Sequence, residues 1–214
     1  MKAKDEDEIL AKSRRQGPAG PAAQARQLAE ATARLKARRQ RDALPLRIVT
    51  PRLVLRGPIR GDVPDLVKLA DNAAIASRLA RLPHPYRTAD AIQFIDVIAQ
   101  QPDHRAYAVT LDDRFVGVAS LMFHAGKPPE IGYWLGEPFW GRGLMSEAAK
   151  GLVDAAFATG LIPRLHGRAL KTNLASQRIM LKLGFTITGE GIDDVGPVKG
   201  REVVFLDCEA PRWT

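Results

Sequence analysis

The sequence predicts an α/β fold, with a central sheet of about six to seven strands, about four flanking helices and an N-terminal extension. Three observations carry this. Short stretches with apolar residues at alternate positions are interspersed with longer ones on a 3.6-residue spacing. Two of the short stretches meet at an Asp-Asp turn, as a hairpin does. A strand-like stretch also runs through two glycines straight into a long amphipathic stretch that begins at Leu144.

Taken in order, residues 22–43 are rich in Ala, Arg, Gln and Leu and lack Gly and Pro, a helix-favouring composition that Pro45 closes. Residues 1–21, charged and then Gly/Pro-rich, are a poor candidate for packed structure. Arg52 to Arg56 alternates as a first strand. Asp62-Val63-Pro64 opens a helix whose buried stripe is Leu66, Leu69, Ala70 and Ala73. A second helix follows Thr88, using Ile92, Phe94, Ile95 and Ile98. Residues 106–111 and 115–121 pair as a hairpin across Asp112 to Arg114, and Glu130 to Leu135 is the next strand. From Leu144, apolar residues at 145, 148, 149, 152 and 156 share one helical face, which Gly160 ends. Arg164 to Ala169 is a strand, Asn173 caps a helix that Gly184 terminates, and residues 185–188 and 202–206 are the last strands. The division expected is an extension over residues 1–45 and one domain over residues 46–214.

The chain has 214 residues, 45% hydrophobic and 26% charged, and ordinary globular composition. No apolar run nears the roughly 18 residues of a membrane span, and the charged start is unlike a secretory signal. One cysteine, Cys208, rules out an internal disulfide. Four scattered histidines give no metal-ligand spacing, so no metal is expected. A reducing, cytoplasmic setting is expected. The net charge of +8 sits mostly in the extension, where residues 1–44 hold eleven Lys or Arg against six Asp or Glu. RNA or the ribosome is a candidate partner for that arm, and a solvated helix is the plainer alternative. A monomer or a homodimer is expected.

The segment Trp140-Gly141-Arg142-Gly143-Leu144-Met145 carries the chemistry. Glycines at a strand-to-helix turn leave backbone N–H groups unpaired and pointing one way, with the positive end of the helix dipole behind them. Such a turn suits a diphosphate. A dinucleotide fingerprint fails, because the third glycine would fall at Ser146. Further on come Asn173-Leu174-Ala175-Ser176 and Lys182-Leu183-Gly184-Phe185.

A glycine loop followed about thirty residues later by N-x-x-S and K-x-G-F resembles the GNAT family of acetyl-CoA-dependent N-acetyltransferases. Within it, the resemblance is to the Rim-type, ribosomal-protein N-terminal branch. The usual loop pattern, R/Q-x-x-G-x-G/A, is met strictly only at Gly143. Trp140 and Met145 depart from it in the Rim-type way. The resemblance implies a mixed, mostly antiparallel sheet with a splayed pair of strands at the coenzyme site. It implies acetyl-CoA as co-substrate, with contacts from Trp134, Leu135, Gly136, Trp140, Gly141, Arg142, Gly143, Leu144, Met145, Asn173, Ser176 and Lys182. The Leu135 N–H would polarise the thioester carbonyl.

The same resemblance suggests catalytic groups. The tyrosine that many relatives carry seven residues after the capping Asn is Met180 here. Ser176 is then the nearest protic group, though it is equally a first-turn helix serine. Glu130 is the candidate base, acting through a water, or else a strand-edge carboxylate paired with a cation. Glu147 is expected to cap the long helix, and Tyr133, Trp134 and Trp140 to be wall and core. A site with a weak base suits an α-amine, with an ordinary pKa of about 7.7–8.0, better than a lysine at about 10.4. The acceptor expected is thus a protein or peptide N-terminus. The alternatives are a small amine (amino acid, polyamine or aminoglycoside) or, from another class, a non-catalytic acyl-CoA-binding or RNA-associated module.

Overall fold

The computed structural model describes residues 20–194 and 196–211. Eight strands form a single sheet: β1 (Arg47–Val49), β2 (Leu53–Arg56), β3 (His104–Leu111), β4 (Arg114–Met122), β5 (Glu130–Leu135), β6 (Arg164–Leu170), β7 (Thr186–Ile192) and β8 (Glu202–Glu209). Their order is β1-β2-β3-β4-β5-β6-β8-β7. Every neighbouring pair is antiparallel except β5 and β6. The helices are α1 (Pro21–Asp42), α2 (Val63–Ala70), α3 (Ala73–Ala76), α4 (Thr88–Asp96), α5 (Leu144–Ala158) and α6 (Leu174–Lys182). The α/β class and the mostly antiparallel sheet are as expected. The eighth strand is β1, a three-residue edge strand too short to show a period. The four-residue α3, whose cap is Asn72, was likewise not anticipated.

Strand alternation divides the core in two. On one face Tyr107, Val109, Ala119 and Leu121 pack against α5 through Leu144, Ala148, Leu152 and Ala156. On the other, Ala108, Phe115 and Val118 pack against α2, α3 and α4 through Leu66, Ile75 and Ile95. The hairpin turn is tighter than expected. Leu111 pairs with Arg114, and Asp112 and Asp113 both take positive φ, the geometry of a two-residue connection whose twist matches that of the strands.

The extension does not end where the domain begins. Residues 21–32 of α1 are exposed, but Ala37 and Leu44 are buried in the main core. The Gln40 amide donates to the Leu161 carbonyl at 2.7 Å, and the Tyr107 hydroxyl donates to the Pro45 carbonyl at 2.6 Å. The last turns of α1 therefore cover the domain. The expectation for residues 1–19 lies outside the described residues.

Candidate functional site

The site begins with an interruption of the sheet. β5 and β6 are paired only at Glu130–His166 and Ile131–Gly167. Beyond that point β5 stays on β4 as far as Leu135, while β6 stays on β8 as far as Leu170. A gap in the backbone pairing opens between them. Its shape follows from what packs behind it. Gly167 leaves room for the Met180 sulfur, which a Cβ there would strike at 2.4 Å, so α6 sits directly on β6. α5 instead packs on the β5 side.

The antiparallel ladder decides which groups face this gap. The Gly136 N–H donates to the Val116 carbonyl, so positions 136 and 134 direct their backbone polar groups at β4. Positions 135 and 133 then direct theirs at the gap. Of the three residues expected to offer backbone contacts, Leu135 faces the gap and Trp134 and Gly136 do not. Tyr133, expected only as wall or core, does. The Leu135 carbonyl is occupied by the Trp140 indole at 2.7 Å, while its N–H stays directed into the gap. Trp140 is itself covered by the Arg78 guanidinium, 5.3 Å from the ring centre.

At the open end of the gap stands the glycine turn. Gly141 and Gly143 have φ of +73° and +72°, a region that other residues enter at a cost of about 1–2 kcal/mol. Gly143 is the N-cap of α5, and no side chain caps that end. Leu144 and Met145 bury their side chains, so only their backbone is available to a ligand. Arg142 and its two glycine neighbours are exposed. The turn is thus a cradle of free N–H groups on a 15-residue helix, and it fits a diphosphate.

Glu147 has another role than the expected helix cap. Its Oε1 accepts from the Thr50 hydroxyl at 2.7 Å and the Arg52 N–H at 2.8 Å, and its Oε2 from Arg52 Nε at 2.6 Å. Burial alone would raise the Glu147 pKa. The hydrogen bonds from Thr50 and Arg52, with the Arg52 charge, outweigh burial and hold it below the usual range.

Across the gap from β5, Asn173 caps α6 by accepting from the Ser176 N–H. The Tyr133 hydroxyl lies 3.1 Å from the Ser176 carbonyl and 3.2 Å from Ser176 Oγ. Burial pushes the Tyr133 phenol up to about 12, more than the Ser176 hydrogen bond lowers it. A phenol with that pKa stays protonated near neutrality and donates. The two hydroxyls thus form one protic pair on the α6 side of the gap. No sequence signal links them, because the contact depends on how α6 crosses the sheet.

Glu130 occupies the closed end of the gap, on the opposite face from Leu135. The two are five residues apart, about 17 Å along an extended strand. The structure does not bring them together. Glu130 Oε1 lies 3.5 Å from Arg168, whose other nitrogen lies 3.1 Å from the buried Asp193. Beside Glu130 on the same face is His166, with Nδ1 2.7 Å from Asp207. Lys182 is exposed on the last turn of α6. Among the described residues there is no cluster of His, Cys, Asp or Glu able to hold a metal, and no helix long and apolar enough to cross a membrane.

A parting parallel pair of strands beside a glycine-bracketed helix start is the arrangement that the GNAT resemblance implies. Residues 52–186 match the acetyltransferase (GNAT) domain family, and the chain belongs to that family. It is 36% identical over 77 residues to the probable N-acetyltransferase YjcK of Bacillus subtilis, covering 35% of this chain and 42% of that one. It is 27% identical over 104 residues to the ribosomal-protein-serine acetyltransferase of Escherichia coli, covering 48% and 58%. The chain thus spans about half the length of these curated relatives. Among solved structures, it resembles RimL, a ribosomal L7/L12 alpha-N-protein acetyltransferase in complex with coenzyme A. That match has a TM-score of 0.67 and 22% identity, covering 78% of this chain and 97% of that one. It also resembles MccE, a microcin C7 self-immunity acetyltransferase in complex with acetyl-CoA and AMP (TM-score 0.66, 22% identity, 74% and 93% covered).

Proposed function

We propose that this protein is an acetyl-CoA-dependent N-acetyltransferase acting on the α-amine of a protein or peptide N-terminus. The observation that carries the reading is the gap itself, which runs from the Gly141–Gly143 turn to the Tyr133–Ser176 pair. The turn receives the diphosphate on the N–H groups of Arg142 to Met145. The Leu135 and Tyr133 N–H groups offer partners to an extended arm with two amides, much as a neighbouring strand would. Acetyl-CoA supplies a thioester carbon open to attack by a neutral nitrogen. The innermost N–H on this rim, at Tyr133, donates to the carbonyl oxygen as charge builds on it. Ser176, backed by Tyr133, donates to the leaving sulfur. An ordinary thiol has a pKa of about 8.5, so this needs only a hydrogen bond and no strong acid.

A protein acceptor is supported by the names of the Escherichia coli relative and of the RimL neighbour, and an α-amine by the latter. The choice also fits a site without a strong base, because an α-amine is partly neutral at physiological pH. The test is release of free thiol from acetyl-CoA against a panel of peptide N-termini, amino acids, polyamines and aminoglycosides. Release with peptides, traced by mass to the α-nitrogen, is the expected result. Release with a small amine alone would move the acceptor class, and binding of acetyl-CoA without release to any amine would overturn the enzymatic reading.

A further inference from the structure

We propose that His166, held by Asp207, is the proton acceptor for the incoming amine. This rests on the acetyltransferase reading and assigns the base that Glu130 was expected to supply.

Position comes first. His166 is paired with Glu130 at the point where β5 and β6 part, so it stands at the inner end of the gap. An arm anchored at the Gly141–Gly143 turn and laid along β5 runs toward this point. The two sides of the sheet here differ in chemistry. The Tyr133–Ser176 pair lies on the α6 side. Glu130, His166 and Arg168 lie on the other side, since alternate residues of a strand share a face. A hydroxyl donor and an imidazole acceptor thus lie on opposite faces of the sheet beside this gap.

Chemistry comes second. Asp207 Oδ1 is 2.7 Å from His166 Nδ1. A carboxylate only accepts, so Nδ1 carries the hydrogen, and in the neutral ring that tautomer leaves the lone pair on Nε2. The ring stacks on Phe205 with centroids 5.8 Å apart, which fixes its plane, and the residue is only partly buried. The Glu130 carboxylate instead faces the Arg168 guanidinium. As a class, an imidazole matches the proton affinity of an α-amine more closely than a carboxylate does.

The step balances. The ammonium passes one proton to Nε2 and becomes a neutral amine. The C–N bond forms and the C–S bond breaks. The second nitrogen proton goes to the leaving sulfur, and His166 returns the first to solvent. The charged groups around His166 are Asp207 and Glu209 on β8, Glu130 on β5, and Arg164 and Arg168 on its own strand, with Asp193 beyond Arg168. Met122, its neighbour beyond Glu130, is touched by Arg81.

The experiment measures kcat/KM against pH for the full chain, with a short peptide bearing a free α-amine. His166→Gln is expected to lower kcat/KM about 100-fold at pH 7. The deficit should shrink toward pH 9, where the amine is neutral without help, and acetyl-CoA affinity should stay within twofold. Asp207→Asn is expected to lose about tenfold with the same narrowing. Imidazole should partly restore His166→Ala, a recovery that a structural role would not give. Wild-type rates and pH profiles in both His166→Gln and Asp207→Asn, with transfer intact, would overturn this assignment alone. Absence of transfer by the wild type to any amine would overturn it together with the acetyltransferase reading.

Discussion

Arg52 grips Glu147 twice, through its backbone N–H and through its side-chain Nε, across 95 positions of sequence. With a third nitrogen, Nη1, it holds the Arg142 carbonyl at 3.0 Å. One arginine just before β2 therefore joins the first turn of α5 to the middle of the glycine turn. The carboxylate that would otherwise cap α5 is used up, and the helix end stays open to an anion. This relationship sets the first prediction.

Glu147→Gln should cost about 1–2 kcal/mol near neutrality, with the partial exposure of Arg52 keeping the figure low. The sign with pH is fixed by the depressed folded pKa. Such a carboxylate contributes fully above the unfolded value of about 4.3, and the contribution is lost as pH falls through the lower folded value. Urea unfolding midpoints at pH 7 and pH 3 measure this. The wild type and the variant should differ at the first pH and differ by less at the second.

Gly143→Val should weaken acetyl-CoA at least tenfold while the domain stays folded. The backbone there is left-handed, at φ +72°, and a β-branched residue resists it. Space is not the obstacle, since the nearest atom to a Cβ would be an Arg52 nitrogen at 3.7 Å. The turn would relax and its N–H groups would diverge. Calorimetric titration with acetyl-CoA, beside a thermal melt, separates lost binding from lost fold.

Tyr133→Phe and Ser176→Ala should each lower kcat about tenfold, with little change in KM for acetyl-CoA. Removing both should cost little more than removing one, because the two hydroxyls act as a pair. The phenol, raised to about 12 by burial, does not titrate in the working range. Tyr133→Phe should therefore lower the whole pH–rate curve without moving its limbs. A shifted limb would show that Tyr133 exchanges a proton with bulk solvent.

Truncation separates the two parts of α1. Removing residues 1–32 should change stability by less than about 0.5 kcal/mol, since residues 20–32 are exposed. Removing residues 1–45 should cost about 3–5 kcal/mol. It uncovers the site of buried Leu44 and takes the Pro45 carbonyl from the Tyr107 hydroxyl. Chemical denaturation of both truncated forms gives the comparison.

Local features were legible in the sequence. The bounds of β5 and the start of α5 follow from an apolar alternation that ends at two glycines, and Asn173 is readable as a cap from its residue type alone. Long-range contacts were not. Nothing near Glu147 announces Arg52, and nothing near Ser176 announces Tyr133 on a strand 43 positions earlier. β7 runs on to Ile192 although Gly189 and Gly191 erase its alternation, because Phe205 fills the space a Cβ at 191 would take. The docking of Ala37 and Leu44 was equally hidden, since two apolar residues in a basic stretch form no visible stripe.

The parting of β5 and β6 makes this sheet two ribbons rather than one. The first, β1 to β5, carries α5; the second, β6 to β8, carries α6; in the backbone ladder two residue pairs stitch them together. Any guest laid along the gap and paired to its rim lengthens that seam. Coenzyme affinity and the resistance of the seam to opening would then be coupled. A change at Met180 or Gly167, where α6 sets the angle of the second ribbon, would reach the coenzyme through the opening of the seam without touching it.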